Sequence, residues 1–183
     1  MSDAIQTFTF SSTGLFRPRH IVSDSEGKLG ELRVRRNRWG VIAGATYRPE
    51  KGEVLEFRRD PGLLRAQFSM WTADREWLSS SLRWSFFTRP VTIHTGTKPQ
   101  TLLPLPGFRS GWKLMAPKTG EMARLHGSLL SSKSSIEVHR RMDFELVLFA
   151  YFLGTLTKCE FLFPGPVEHR VKESQASPSK SAG

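Results

Sequence analysis

From Thr7 to about Arg140, apolar and polar residues alternate with period two, the pattern of strands with one face inward and one outward. Leu32 and Val34 alternate with Arg33 and Arg35, and Leu55 and Phe57 with Glu56 and Arg58. Leu82, Trp84 and Phe86 repeat the pattern, as do Trp112 with Leu114 and Ile136 with Val138. Turn residues separate these runs: Ser25-Glu26-Gly27, Pro49-Glu50-Lys51-Gly52, Pro61-Gly62 and Pro117-Lys118-Thr119-Gly120. Short strands with regular turns predict an antiparallel meander.

Three turns share a longer pattern. Gly27-Lys28-Leu29-Gly30-Glu31-Leu32, Gly52-Glu53-Val54-Leu55-Glu56-Phe57 and Gly120-Glu121-Met122-Ala123-Arg124-Leu125 each run glycine, charge, apolar, small or apolar, charge, apolar. Arg75-Glu76-Trp77-Leu78 is a degenerate fourth copy. The glycine is expected to supply the positive φ of a tight hairpin.

After Asp143, a good N-cap residue, the period changes. From Phe144 to Leu153 only Glu145 is polar, and the run continues through Gly154-Thr155-Leu156-Thr157 to Lys158. Asp143 and Glu145 near the start and Lys158 near the end suit a helix dipole. A helix apolar on every side is either enclosed by protein or placed in a membrane. A span needs about 20 largely apolar residues, and extension to Phe163 would bring Lys158 and Glu160 into hydrocarbon. The core helix is therefore the expectation. One such helix in a β protein has to be surrounded by strands. A closed antiparallel barrel of ten to twelve strands, with the helix on its axis, does this and leaves no sheet edge exposed. Cys159–Phe163 is expected to add a last strand. The chain divides into an N-terminal extension over 1–14, a barrel domain over 15–166 and a disordered tail over 167–183.

The hairpin meander, then Ser135-Ile136-Glu137-Val138, then Asp143 opening Phe144-Glu145-Leu146-Val147-Leu148-Phe149-Ala150, resembles the LURP-one-related and phospholipid-scramblase group of the Tubby C-terminal-like fold. The resemblance covers about Leu15 to Phe163 and is strongest from Gly111 to Lys158. It implies a roughly twelve-stranded barrel around a central hydrophobic helix. Tubby proteins bind phosphoinositides through basic residues on the barrel, and scramblases are associated with calcium-stimulated lipid movement. This chain has no Pro-rich N-terminal region, no cysteine cluster for acylation and no acidic cluster after the helix. Those departures speak against scrambling, and no site residue is carried over from the family.

Charge changes the picture more than length does. The 183 residues fit one domain and a full core. Lys and Arg total 27 against 17 Asp and Glu, a formal net charge of +10. Residues 61–141 alone carry 12 basic and 4 acidic side chains, so the excess belongs to the folded body. Such a body attracts anionic partners: lipid headgroups, nucleic acid or an acidic protein. Arg33 and Arg35 oppose inward Leu32 and Val34, and Arg83 opposes Trp84. With Arg36, Arg38, Arg58, Arg59 and Arg89 they are read as an outer cationic band, with Arg33, Arg35, Arg58, Arg83 and Arg89 as the candidate anion-binding residues.

Catalytic chemistry finds no support. His20, His94, His126, His139 and His169 are scattered without metal-ligand spacing. The single cysteine, Cys159, excludes an intramolecular disulfide and is read as a small core residue. Glu145 is read as compensating the helix dipole. No phosphate-loop, dinucleotide, zinc-protease or serine-hydrolase motif is present. The expectation is a non-enzymatic binding module without cofactor or metal. It is read as cytoplasmic, since Met1-Ser2-Asp3-Ala4 opens no secretory signal, and as docking peripherally on anionic phospholipid or phosphoinositide. Two alternatives stay open: a nucleic-acid-binding barrel with exposed Trp39 or Trp77 stacking on bases, and a protein-interaction scaffold. Insertion of Phe144–Phe163 into a membrane is a further one.

Overall fold

The computed structural model describes residues 5–14, 19–60, 67–72, 75–82, 90–96, 98–105, 111–127 and 132–156. Twelve strands follow one another: β1 (Gln6–Thr13), β2 (Arg19–Ser23), β3 (Lys28–Arg36), β4 (Ile42–Pro49), β5 (Leu55–Asp60), β6 (Gln67–Thr72), β7 (Arg75–Leu82), β8 (Val91–His94), β9 (Gln100–Pro104), β10 (Gly111–Ala116), β11 (Gly120–His126) and β12 (Lys133–Val138). Each pairs antiparallel with its sequence neighbours, and β1 pairs with β12 to close the barrel. Phe8 lies opposite Ile136 and Gln6 opposite Val138.

One boundary differs from expectation. Gln6–Thr13 is not an extension but the strand that completes the sheet. Thr7-Phe8-Thr9-Phe10 carries the period-two signal, and Phe8 and Phe10 are both buried. Without β1, strands β2 and β12 would each present an unpaired edge. The expected strand Cys159–Phe163 and the tail 167–183 lie outside the described residues.

The inward positions are the apolar ones of the alternation. Leu32, Leu55, Phe57, Trp112, Leu114, Ile136 and Val138 are buried, and Val34 packs against the same core. Leu82, Trp84 and Phe86 are not among the side chains described. The three repeated turns share one end of the barrel, because odd-numbered strands all start there. Gly27, Gly52 and Gly120 have φ of 139°, 114° and 77°, a region costly for any side chain. The fourth and sixth positions of each copy point inward: Gly30 and Leu32, Leu55 and Phe57, Ala123 and Leu125. Gly30 is required for another reason. A Cβ there would stand 2.6 Å from the Tyr47 hydroxyl oxygen and 2.5 Å from the Arg48 carbonyl.

After Val138 the chain turns inward over 139–143 and runs down the barrel as α1 (Phe144–Tyr151), then as a π-helical turn at Phe152–Leu156. Asp143 has the extended geometry of an N-cap, but its side chain makes no capping bond. Its carbonyl instead accepts the Leu146 and Val147 N–H groups at 3.1 and 3.3 Å. Every residue from Leu146 to Leu153 is buried. Phe152 lies between Phe57 and Phe68, with ring centroids at 4.8 and 5.1 Å. Tyr151 stacks on Phe10 at 3.7 Å. At Gly154 a Cβ would approach the Trp112 ring to 3.0 Å, so the absent side chain makes room for the indole. Each large side chain buried here contributes about 1.5–3 kcal/mol. Among the described residues no helix is long and apolar enough to cross a membrane.

Candidate functional site

The helix gives the barrel an entry end, where α1 begins, and an exit end, toward which it points. The candidate arginines distribute between the outer wall and the exit end. Arg33 lies on the wall and is already engaged. Its Nε and Nη2 donate to the two Glu31 oxygens at 2.9 and 3.2 Å, and Arg19 approaches the same carboxylate at 3.6 Å. The Arg33 hydrogen bond holds the Glu31 carboxyl below its ordinary range. Arg58 is engaged likewise: its Nε and Nη2 donate to Glu56 Oε2 at 3.2 and 3.0 Å. Its guanidinium also covers the Trp71 ring at 4.8 Å. Both pairs are Glu-x-Arg on one strand, so both side chains share the outer face. That spacing is legible in the sequence, and it shows these two arginines to be partly neutralised. Arg83 and Arg89 lie outside the described residues.

Arg35 is exposed and has no carboxylate partner among the described residues. It stands beside the β3–β4 hairpin tip, residues 37–41. The tip is well tied. Asn37 Oδ1 accepts the N–H groups of Trp39 and Val41 at 2.9 and 3.0 Å, and Arg36 Nη1 donates to the Gly40 carbonyl at 2.7 Å. Gly40 takes a φ of 76° to make the turn. At its apex Trp39 is 63% exposed, with Arg38 over the ring at 4.9 Å. Arg59 departs from the expected outer band. A step of two from Leu55 and Phe57 turns it inward, where its Nη1 donates to the Ile42 carbonyl at 3.1 Å and its guanidinium faces the Phe68 ring at 5.7 Å. Around the exit end the described cations are Arg19, Arg35, Arg36, Arg38, Arg59 and Lys133, against the carboxylate of Asp60. These cations lie toward the C-terminal, partially negative end of the helix.

Inside this end, the Tyr151 hydroxyl and His20 Nδ1 are 3.0 Å apart and buried. Burial, then the charge of Arg36, lowers the His20 pKa to about 4, and burial raises that of the Tyr151 hydroxyl. His20 is therefore neutral near pH 7, able to accept the phenol hydrogen. The Tyr151 hydroxyl also shares a hydrogen bond with the Ser134 side chain, so His20, Tyr151 and Ser134 form one polar network inside the barrel.

The entry end carries a different feature. A cavity of about 500 Å3 opens between the start of α1 and the turns before β3 and β5. Phe8, Leu29, Tyr47, Leu55, Met142 and Phe144 supply its apolar wall, and Gln6, Asp24, Lys51, Glu53 and Glu145 its polar lining. The Tyr47 hydroxyl is pushed up to about 12 by burial and then by Glu50 and Glu145. The lining comes from both chain termini of the barrel and the turns between them, so no contiguous motif announced it. No group of three or more His, Cys, Asp or Glu side chains that could hold a metal occurs among the described residues. Comparison with known proteins finds no matching family model, curated protein or solved structure.

Proposed function

We propose that the barrel is a non-enzymatic module that docks peripherally on anionic membrane lipid headgroups, as its resemblance to the LURP-one-related and scramblase-like group suggested. The docking surface is the exit end, not the outer wall. The observation that carries the reading is the tied β3–β4 tip, where exposed Trp39 stands among Arg35, Arg36 and Arg38. An indole at the headgroup level with arginines around it suits an anionic interface: the ring is amphipathic, and each basic residue near such a surface contributes about 1 kcal/mol. Arg33 and Arg58 are secondary, because Glu31 and Glu56 offset them.

Co-sedimentation with vesicles of phosphatidylcholine alone, or with added phosphatidylserine or phosphoinositide, tests the reading. Binding should require the anionic lipid and fall as salt rises. Equal binding to neutral and anionic vesicles, indifferent to salt, would overturn it. A shift of single- or double-stranded nucleic-acid probes at low salt without vesicle binding would transfer the same tip to base stacking.

A further inference from the structure

We propose that the entry-end cavity binds an organic ammonium, a protonated amine carried on an apolar body. The cavity's volume, about 500 Å3, falls in the roughly 300–1,000 Å3 range of small-molecule sites. Its wall and its rim select the same ligand charge by separate means. Phe8, Tyr47 and Phe144 line one side, with Phe144 centred 5.4 Å from Phe8 and 5.6 Å from Tyr47. Aromatic faces are electron-rich and attract cations. Over them stand the carboxylates of Asp24, Glu53 and Glu145, against the ammonium of Lys51. The start of α1 adds roughly half a positive charge, which does not reverse that balance.

This local excess of carboxylates stands out in a chain of formal net charge +10. Asp24 is also held in place. Its Oδ1 accepts the N–H groups of Glu26 and Gly27 at 2.8 and 3.1 Å, so little ordering remains to be done on binding. A bare metal ion is poorly served, since among the described residues no three carboxylate or imidazole side chains gather closely enough to ligate one. A carboxylate or phosphate ligand would meet like charge. An amine head near Glu145 and Glu53, with its hydrocarbon against Phe8, Leu55 and Phe144, satisfies both halves of the cavity. The site lies at the opposite end from the lipid-docking tip and does not depend on it.

Octylamine, octanol and octanoate, titrated below micelle formation into the full chain at pH 7, supply the test, followed by NMR shifts and by Tm. Octylamine should bind saturably and raise Tm, octanol should bind about tenfold more weakly, and octanoate should not saturate. Glu145→Gln and the exposed Glu53→Lys should each weaken octylamine by about tenfold, while octanol binding stays the same. A double change at the exit end, R35E/R38E, should leave octylamine binding as it is. Octanoate binding as tightly as octylamine, octylamine binding indifferent to both Glu145→Gln and Glu53→Lys, or no saturable binding at all would each overturn the assignment.

Discussion

At the entry end, Asp24, Glu50, Glu53, Asp143 and Glu145 are interleaved with Lys28, Lys51, Arg140 and Arg141, and a cavity opens beside the helix. At the exit end Arg35, Arg36, Arg38, Arg59 and Lys133 gather near Asp60, Arg19 reaches back to Glu31 on the wall, and the helix is packed tightly by aromatic rings. One meander makes both ends, with hairpin turns at each. The difference arises from what the helix brings. Its first turn carries Glu145 and leaves Phe144 half-buried, whereas Leu146 to Leu153 are wholly buried. The same plug is therefore enclosed along its middle and leaves a cavity beside its first turn.

The sharpest way to break this contrast is to truncate the plug at each end. Phe152→Ala removes a fully buried ring between Phe57 and Phe68, and should cost about 3–5 kcal/mol. Phe144→Ala borders the cavity and should cost about half as much or less. Equal losses in urea denaturation would mean that the two ends are packed alike.

Acid provides the next contrast. His20 has its folded pKa lowered from 6.5 to about 4, so the unfolded chain takes up the proton first. Stability from this residue is complete above pH 6.5, declines as pH falls toward 4, and changes no further below that. The span corresponds to about 3 kcal/mol. The hydrogen bonds of Arg33 to Glu31 and of Arg124 to Glu121 lower those carboxyls, so they add an acid loss of their own. The difference between the native chain and His20→Gln isolates the histidine. Their urea midpoints should converge between pH 7 and pH 4.5; parallel curves would place the His20 proton equilibrium at its ordinary value.

Reversing charge at the exit end comes next. R35E/R38E should weaken binding to phosphatidylserine vesicles by about a hundredfold, at about 1 kcal/mol per basic residue and more for a reversal. Tm should barely move. Reversing Lys51 and Arg141 at the entry end should change vesicle binding little, and an equal loss would make net charge, not the tip, the determinant. The smallest expected effect concerns the helix start. Asp143→Ala should cost less than the usual ~1 kcal/mol of a lost N-cap, because the Asp143 side chain makes no capping bond; a full loss in Tm would restore that bond.

Much of the barrel was legible because inward and outward faces are written locally. Leu32, Leu55, Phe57, Leu114 and Ile136 each point inward as their neighbours dictate. The enclosed helix was legible from the lack of any polar face over Phe144–Leu153. The role of β1 was harder, since Phe8 and Phe10 give only a short alternation and their partners in β12 lie at the other end of the chain. The candidate site was less legible still. The Glu31–Arg33 and Glu56–Arg58 pairs could have been read from spacing, and reading them removes two of the five arginines from prominence. The cavity and the His20–Tyr151 bond could not, because they join residues from distant strands; that pair is 131 positions apart.

The pairing of β1 with β12 also governs how this molecule can be made. Contacts between neighbouring hairpins form early and cheaply, but the seam between Gln6 and Val138 joins the two extremes of the sheet. Large sequence separation slows folding. The plug is synthesised later still, so the strands that emerge before it carry their greasy lining uncovered. A nascent chain that stops short of Leu156 is thus an open trough, and chaperones that shield apolar surface should hold it until the last aromatic turn arrives.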